Sequence, residues 1–202
     1  MSLLFMLDMI GTVAFAASGA WVAVRKEMDL FGVIALGMVT AIGGGTLRDL
    51  LLGDLPPFCL QNEIYFWVPA TTALLVFVMH RHLPTLMQPL LYLDAIGLGT
   101  FVVIGTSKAL LFDTGPFGAV LMGILTGTAG GVIRDILANE VPLILRQEIY
   151  ASACVLGGIL LVILSHFEVP EQLSLLLVAG SVILIRVLAI RYNWSLPKAP
   201  IQ

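Results

Sequence analysis

Charge is what this sequence has least of. Only 11% of its 202 residues are Asp, Glu, Lys or Arg, against about 25% in an ordinary soluble domain. With 59% of residues hydrophobic, a water-soluble fold would leave too much apolar surface in water. The net charge of -3 offers no basic field for nucleic acid. Cysteine is scarce as well. Cys59 and Cys154 stand apart, with no Cys-x-x-Cys and no neighbouring histidines, and read as small apolar packers. The three histidines, His80, His82 and His166, lie near linkers and read as interfacial. No His-x-x-x-His spacing and no nucleophile–base arrangement occurs, so nothing points to an enzyme. The start, Met1 to Phe5, lacks the positive charge of a signal peptide, and Asp8 interrupts the apolar run that follows.

Long apolar runs are present in abundance. A spanning helix needs about 20 mostly apolar residues. Breaks at charged and Pro-rich positions leave seven such spans, at roughly 3–23, 30–52, 63–80, 90–111, 116–138, 148–165 and 172–190. In lipid only helices or closed barrels satisfy the backbone, and these runs lack the polar–apolar alternation of barrel strands. The expected fold is all-α: a single membrane domain over 1–202, too tightly linked to hold a second domain. Charge sets the orientation. Linkers after spans 1, 3, 5 and 7 share one side and hold Arg25, Lys26, Arg81, Arg146, Arg191 and Lys198; the opposite linkers hold no Lys or Arg. The positive-inside rule puts the N-terminus outside and the C-terminus in the cytoplasm. Tyr65, Trp67, Tyr192 and Trp194 fall near span ends, where aromatic belts sit.

The chain also repeats itself. Asp8 aligns with Asp94, Gly11 with Gly97, Phe15 with Phe101 and Gly19 with Gly105. Phe31-Gly32 aligns with Phe117-Gly118, Thr40 with Thr126, Gly44-Gly45 with Gly130-Gly131, and Arg48-Asp49 with Arg134-Asp135. Pro56 meets Pro142, and after one dropped residue Glu63-Ile64-Tyr65 meets Glu148-Ile149-Tyr150. Repeat one covers 1–89 and repeat two 90–170, and 171–202 adds a seventh helix and tail. Each copy crosses three times, an odd number, so the second copy enters from the opposite side. Inverted repeats with broken helices are a transport architecture.

The chemistry collects in the second helix of each copy. Copy one reads Thr40-Ala41-Ile42-Gly43-Gly44-Gly45-Thr46-Leu47-Arg48-Asp49, and copy two Thr126-Gly127-Thr128-Ala129-Gly130-Gly131-Val132-Ile133-Arg134-Asp135. Each Gly in a helix costs about 1 kcal/mol against Ala, so three together should bend or break it. Two readings stand: close packing through small residues, or a break that frees carbonyls for a hard monovalent cation. On the second, the kink carbonyls of Gly43, Gly44 and Gly130 hold such a cation transiently. Thr40, Thr46, Thr126, Thr128, Gly45, Ala129 and Gly131 complete the narrow path, and a half-helix restarts at Thr46 with Asp49 in its first turn. Arg48, Lys108, Arg134 and Arg186 lie in spans and need partners or water. Asp49, Asp135, Asp8 and Asp94 are the candidate partners. The arginines either snorkel to the interfaces and pair with acids, or serve the pathway. Lys108 and Arg186 have no basic counterpart in the other copy, which suits gating or lipid-phosphate contact.

These residues resemble the bacterial branch of the trimeric intracellular cation (TRIC) channel superfamily. The resemblance rests on Gly43-Gly44-Gly45-Thr46-Leu47-Arg48-Asp49-Leu50-Leu51-Leu52-Gly53 and Gly130-Gly131-Val132-Ile133-Arg134-Asp135, with the Phe-Gly and Glu-Ile-Tyr pairs. Ala129 replaces the first glycine of the second motif. The resemblance implies a homotrimer in membrane lipid, with a pore in each subunit between the repeats. Potassium passes, sodium less selectively, basic residues on later helices take part in gating, and no cofactor is needed beyond the permeant ions and bound phospholipid. The same sequence group carries a proposed role as a glycine transporter. Residues alone leave channel and transporter open, with a scaffold as a third reading.

Overall fold

The computed structural model describes residues 2–80, 88–146 and 149–194. The third linker with Arg81 and His82, the Gln147–Glu148 pair, and the tail with Lys198 lie outside them.

Every described element is helical: α1 (Leu3–Arg25), α2 (Leu30–Leu52), α3 (Phe58–Gln61), α4 (Ile64–Met79), α5 (Gln88–Leu111), α6 (Gly115–Leu137), α7 (Leu143–Arg146), α8 (Ala151–His166) and α9 (Glu171–Tyr192). Local chemistry sets the boundaries. The Ser2 hydroxyl caps α1, and the Asp29 carboxylate caps α2 by accepting from Gly32 N at 2.8 Å. Left-handed residues end the helices at matched places: Glu27 (φ 55°) and Asp113 (φ 52°) after the first helix of each copy, Gly53 (φ 72°) and Asn139 (φ 54°) after the second. The sequence repeat is thus a repeat of backbone conformation.

Five helices, α1, α2, α5, α6 and α9, are long and apolar enough to cross a membrane. At 1.5 Å per residue, 23 residues reach about 35 Å, beyond a hydrocarbon core of about 30 Å. The apolar α4 and α8 have 16 residues each, about 24 Å. These two are shorter than the sequence suggests. The segments before them, which read as plain linkers, each hold a four-residue helix, α3 or α7.

Repeat one packs as α1, α2 and α4 around Ala20, Trp21, Val33, Leu36 and Ala73. Repeat two packs as α5, α6 and α8, with α9 against α5 and α8, around Leu98, Val102, Cys154, Val178 and Val182. Between them Phe15 and Phe101, aligned in the repeat, meet edge to face at 5.2 Å between ring centroids. Such a pair adds about 0.5–1.5 kcal/mol beyond its burial.

The contact between repeats is symmetric. A methyl group on Gly44 would overlap the Thr126 carbonyl oxygen, and one on Gly130 would overlap that of Thr40. Likewise a methyl on Gly11 would press on Thr100 and Phe101, and one on Gly97 on Phe15. In each case residue i of one copy meets residue j of the other, and the reverse, as across a two-fold axis. As numbering rises from 40 to 44 on α2, its contacts on α6 fall from 130 to 126. The matched helices therefore run antiparallel.

The expectation of broken helices is corrected. α2 and α6 each run unbroken for 23 residues through their glycines. No half-helix begins at Thr46, and Asp49 stands in the last turn of α2, not in a first turn. Close packing is the physical reason: without side chains at Gly44 and Gly130, the two backbones touch. In this conformation no break frees the carbonyls of Gly43, Gly44 or Gly130.

Candidate functional site

Two charged clusters sit at opposite ends of the α2–α6 crossing, each at the C-terminal turn of one of these helices. At the first end Arg48 donates through Nε and Nη2 to Asp49 Oδ1, both at 2.8 Å. Lys108 of α5 reaches the same oxygen at 2.7 Å and Asp54 Oδ2 at 2.5 Å. Asp49 Oδ2 accepts the backbone N–H of Phe58 at 3.0 Å, which anchors α3. The Arg48 guanidinium lies 5.6 Å from the centre of the Phe58 ring. Close by, the Tyr65 hydroxyl donates to Asp8 Oδ2.

The second end repeats half of this. Arg134 Nε donates to Asp135 Oδ1 at 2.8 Å, and Asp135 Oδ2 accepts from Leu143 N at 2.7 Å, which anchors α7. The other half differs. Arg134 Nη1 extends to Asp94 Oδ1 at 2.9 Å and to the Ser18 hydroxyl at 3.0 Å, and so ties α6 to α5 and to α1 of the other repeat. The Arg134–Asp94 pair is wholly buried. Arg186 of α9 donates to the Ile149 carbonyl at 2.8 Å, and its guanidinium lies 4.7 Å from the centre of the Tyr150 ring. Asp94 Oδ2, Arg134 Nη2 and the Nε and Nη2 of Arg186 are buried without hydrogen-bond partners. An unmet buried polar group costs about 1–3 kcal/mol. Nearer the surface Lys26 pairs with Glu140 at 2.6 Å, and Arg146 with Glu140 at 3.2 Å. Glu140 corresponds to Asp54. The Lys26 ammonium, first by its hydrogen bond and then by its charge, holds the Glu140 carboxyl below the usual carboxylate range.

The sequence candidates fall into three places. Arg48, Asp49, Lys108 and Asp8 gather at one end; Arg134, Asp135, Asp94 and Arg186 gather at the other. The arginines do not snorkel: Arg48, Arg134 and Arg186 are all buried. The glycines and threonines occupy the crossing between the ends. The Thr40 and Thr126 hydroxyls donate to carbonyls of their own helices, at Leu36 and Met122, and Thr46 donates to Ile42. Gly45 faces the Phe58 ring, a methyl on Gly43 would meet the end of Ile133, and one on Gly131 would meet Tyr150, Asp94 and Arg134. Thr128 is buried and Ala129 half-buried in the same stretch. Among the described residues no group of three or more His, Cys, Asp or Glu converges as a metal site would require.

Sequence reasoning missed Ser18, Asp54, Phe58 and the two tyrosines as partners. Tyr65 reads as a membrane-surface aromatic, yet it is buried against Asp8; Trp67, Tyr192 and Trp194 are exposed as a belt requires. The signal was present in the matched Glu-Ile-Tyr triplets, which place Tyr65 and Tyr150 in equivalent positions.

A family model described as Glycine transporter matches residues 5–81 and 91–166, one repeat after the other. The UPF0126 inner membrane protein YadS of Escherichia coli K12 is 45% identical over 199 residues, spanning 96% of this chain and 95% of that protein. The UPF0126 membrane protein YvgT of Bacillus subtilis 168 is 36% identical over 193 residues, spanning 95% and 94%. A solved structure that concerns conductance through TRIC cation channels superposes with a TM-score of 0.91 at 43% identity, covering all of this chain and 99% of that one. The TRIC trimeric intracellular cation channel orthologue from Rhodobacter sphaeroides gives 0.92 at 39% identity, covering 96% and 100%. These relatives are channels and membrane proteins, not enzymes.

Proposed function

This chain is a multi-pass membrane protein of the bacterial TRIC channel family, and on that premise we propose that it is a potassium-permeable monovalent cation channel. The observation that carries the proposal is full-length superposition, at 43% identity, on a protein described as a cation channel. Each subunit of a homotrimer holds its own pore between repeat one and repeat two. α4 and α8, with α3 and α7 beside them, complete the third crossing of each copy, so the chain makes seven crossings as two inverted repeats plus α9. The antiparallel contact of α2 with α6 supports this. The end bearing Lys26, Arg146 and Arg191 faces the cytoplasm, and the N-terminus lies outside. The surrounding partners are membrane lipids.

The glycine crossing is the narrowest place. In the conducting state α2 and α6 bend about Gly43–Gly45 and Ala129–Gly131 and part. The carbonyls of Gly43, Gly44 and Gly130, with Thr40, Thr46, Thr126 and Thr128, then stand in for water around potassium. Glycine suits such a hinge because it opposes bending least. The ion pairs at the two ends, Arg48–Asp49–Lys108 and Arg134–Asp94–Asp135 with Arg186, act as gates.

A second reading, secondary transport of glycine or another small amino acid, is favoured by the description of the matching family model and by the inverted-repeat pattern. Flux from reconstituted vesicles separates the two. A channel releases potassium without saturation, and external glycine has no effect. Saturable glycine uptake driven by an ion gradient, with no free potassium leak, would replace the channel reading.

A further inference from the structure

The first helix of each repeat carries one carboxylate, and only one of the two is neutralised. Asp94 is fully buried and takes Arg134 at 2.9 Å. Asp8, its counterpart, is half-buried and accepts from the Tyr65 hydroxyl. Among the described residues no cation comes within ion-pairing distance of it. The cations of that end are engaged elsewhere: Arg48 with Asp49, and Lys108 with Asp49 and Asp54. Of the five carboxylates on membrane-spanning helices, Asp49, Asp94 and Asp135 have ion pairs; among the described residues Asp8 has none, and neither has Glu171, which is exposed at the start of α9. This end holds Asp8, Asp49 and Asp54 against Arg48 and Lys108, three negative charges against two positive. Counted over the same positions, the other end holds Asp94, Asp135 and Glu140 against Arg134, Arg186, Lys26 and Arg146, three negative charges against four positive.

Neither Asp49 nor Asp135 is free to attract an ion. Both are bound to arginine on one oxygen and to the backbone of a short helix on the other. Among the described residues Asp8 keeps one oxygen free of any partner, and it is only half-buried. A fixed charge between low-dielectric walls concentrates ions of opposite sign and repels its own.

Resting on the channel reading, we infer that Asp8 is the residue that makes this pathway prefer cations to anions. Tyr65 is its positioning residue, holding the carboxylate through one oxygen and leaving the other for passing ions.

The test is the reversal potential of the purified full chain in planar bilayers under a tenfold potassium chloride gradient. Wild type should be cation-selective. Asp8→Asn should still carry current, with a potassium-to-chloride permeability ratio lowered about tenfold, the order expected for removing one charge in a half-solvated site. Asp8→Glu should restore the ratio, and Asp113→Asn, an exposed acid on the α5–α6 turn, should leave it within about twofold. Should Asp8→Asn fail to elute as wild type does, Asp8→Ser carries the same test. Current with an unchanged ratio in these variants overturns the role of Asp8 and leaves the channel reading standing. A silent wild type overturns the channel reading itself, and this inference with it.

Discussion

The two ends of the molecule are made from the same residues and finished differently. In both, an arginine donates through Nε to the aspartate that follows it, and that aspartate anchors a four-residue helix. This shared half follows the internal repeat of the sequence, Arg48-Asp49 matching Arg134-Asp135. The difference lies in what the guanidinium does next. Arg134 reaches across to Asp94 and Ser18 and ties three helices into a dry junction. Arg48 folds back on Asp49, and Lys108 arrives from the other repeat in its place. The counterpart of Ser18 is Ile104 and that of Lys108 is Val22, so neither extra bond can form at the opposite end. Two unpaired substitutions leave the inner carboxylate of one end, Asp94, buried on an arginine and that of the other, Asp8, half-buried and, among the described residues, without a cation.

The largest break in this comparison comes from removing the arginines in turn. Arg134→Leu leaves Asp94 and Asp135 buried without a cation and should cost about 3–5 kcal/mol of stability. Arg48→Leu should cost less, about 1–3 kcal/mol, because Lys108 still neutralises Asp49. Thermal unfolding in detergent compares them, and equal losses would erase the asymmetry. Next is the crossing. Gly44→Ala and Gly130→Ala each drive a methyl into a backbone carbonyl and should each lose about 1–3 kcal/mol. Gly43→Ala meets only the flexible end of Ile133 at 3.0 Å and should stay within about 1 kcal/mol of wild type. Similar costs at Gly44 and Gly130 would sharpen the two-fold relation; a large difference would break it.

The core pair is expected to respond evenly. Phe15→Leu and Phe101→Leu should each forfeit an edge-to-face contact of about 0.5–1.5 kcal/mol, read in the same unfolding assay. The smallest effect is at the surface. Glu140 has a folded pKa below its ordinary value because of Lys26 and then Arg146. Its contribution is therefore present above the ordinary carboxylate range and fades as pH falls through the lowered value. Melting temperature followed from pH 7 downward should show this fade in wild type, and Glu140→Gln should lack it.

Much of this was legible in the residues. The repeat register, the helical class and the four aspartates open to the span cations follow from sequence alone; which acid takes which arginine does not. What the glycines do does not. A run such as Gly43-Gly44-Gly45 reads equally as a broken helix or a close contact, since the deciding neighbour, the Thr126 carbonyl, belongs to the other repeat. The short helices α3 and α7 escaped because their anchor is a bond to a carboxylate on the preceding helix, from Phe58 to Asp49 and from Leu143 to Asp135, not a cap from the residue next to them. Lys108 carried a hint in its lack of a counterpart, but its partners at Asp49 and Asp54 depend on how α5 crosses α2.

The most direct test of the central reading is single-channel recording from the purified protein in planar bilayers with potassium on one side and sodium on the other. The account expects discrete unitary steps whose reversal potential follows the cation gradients. Silent bilayers from correctly assembled protein would contradict it.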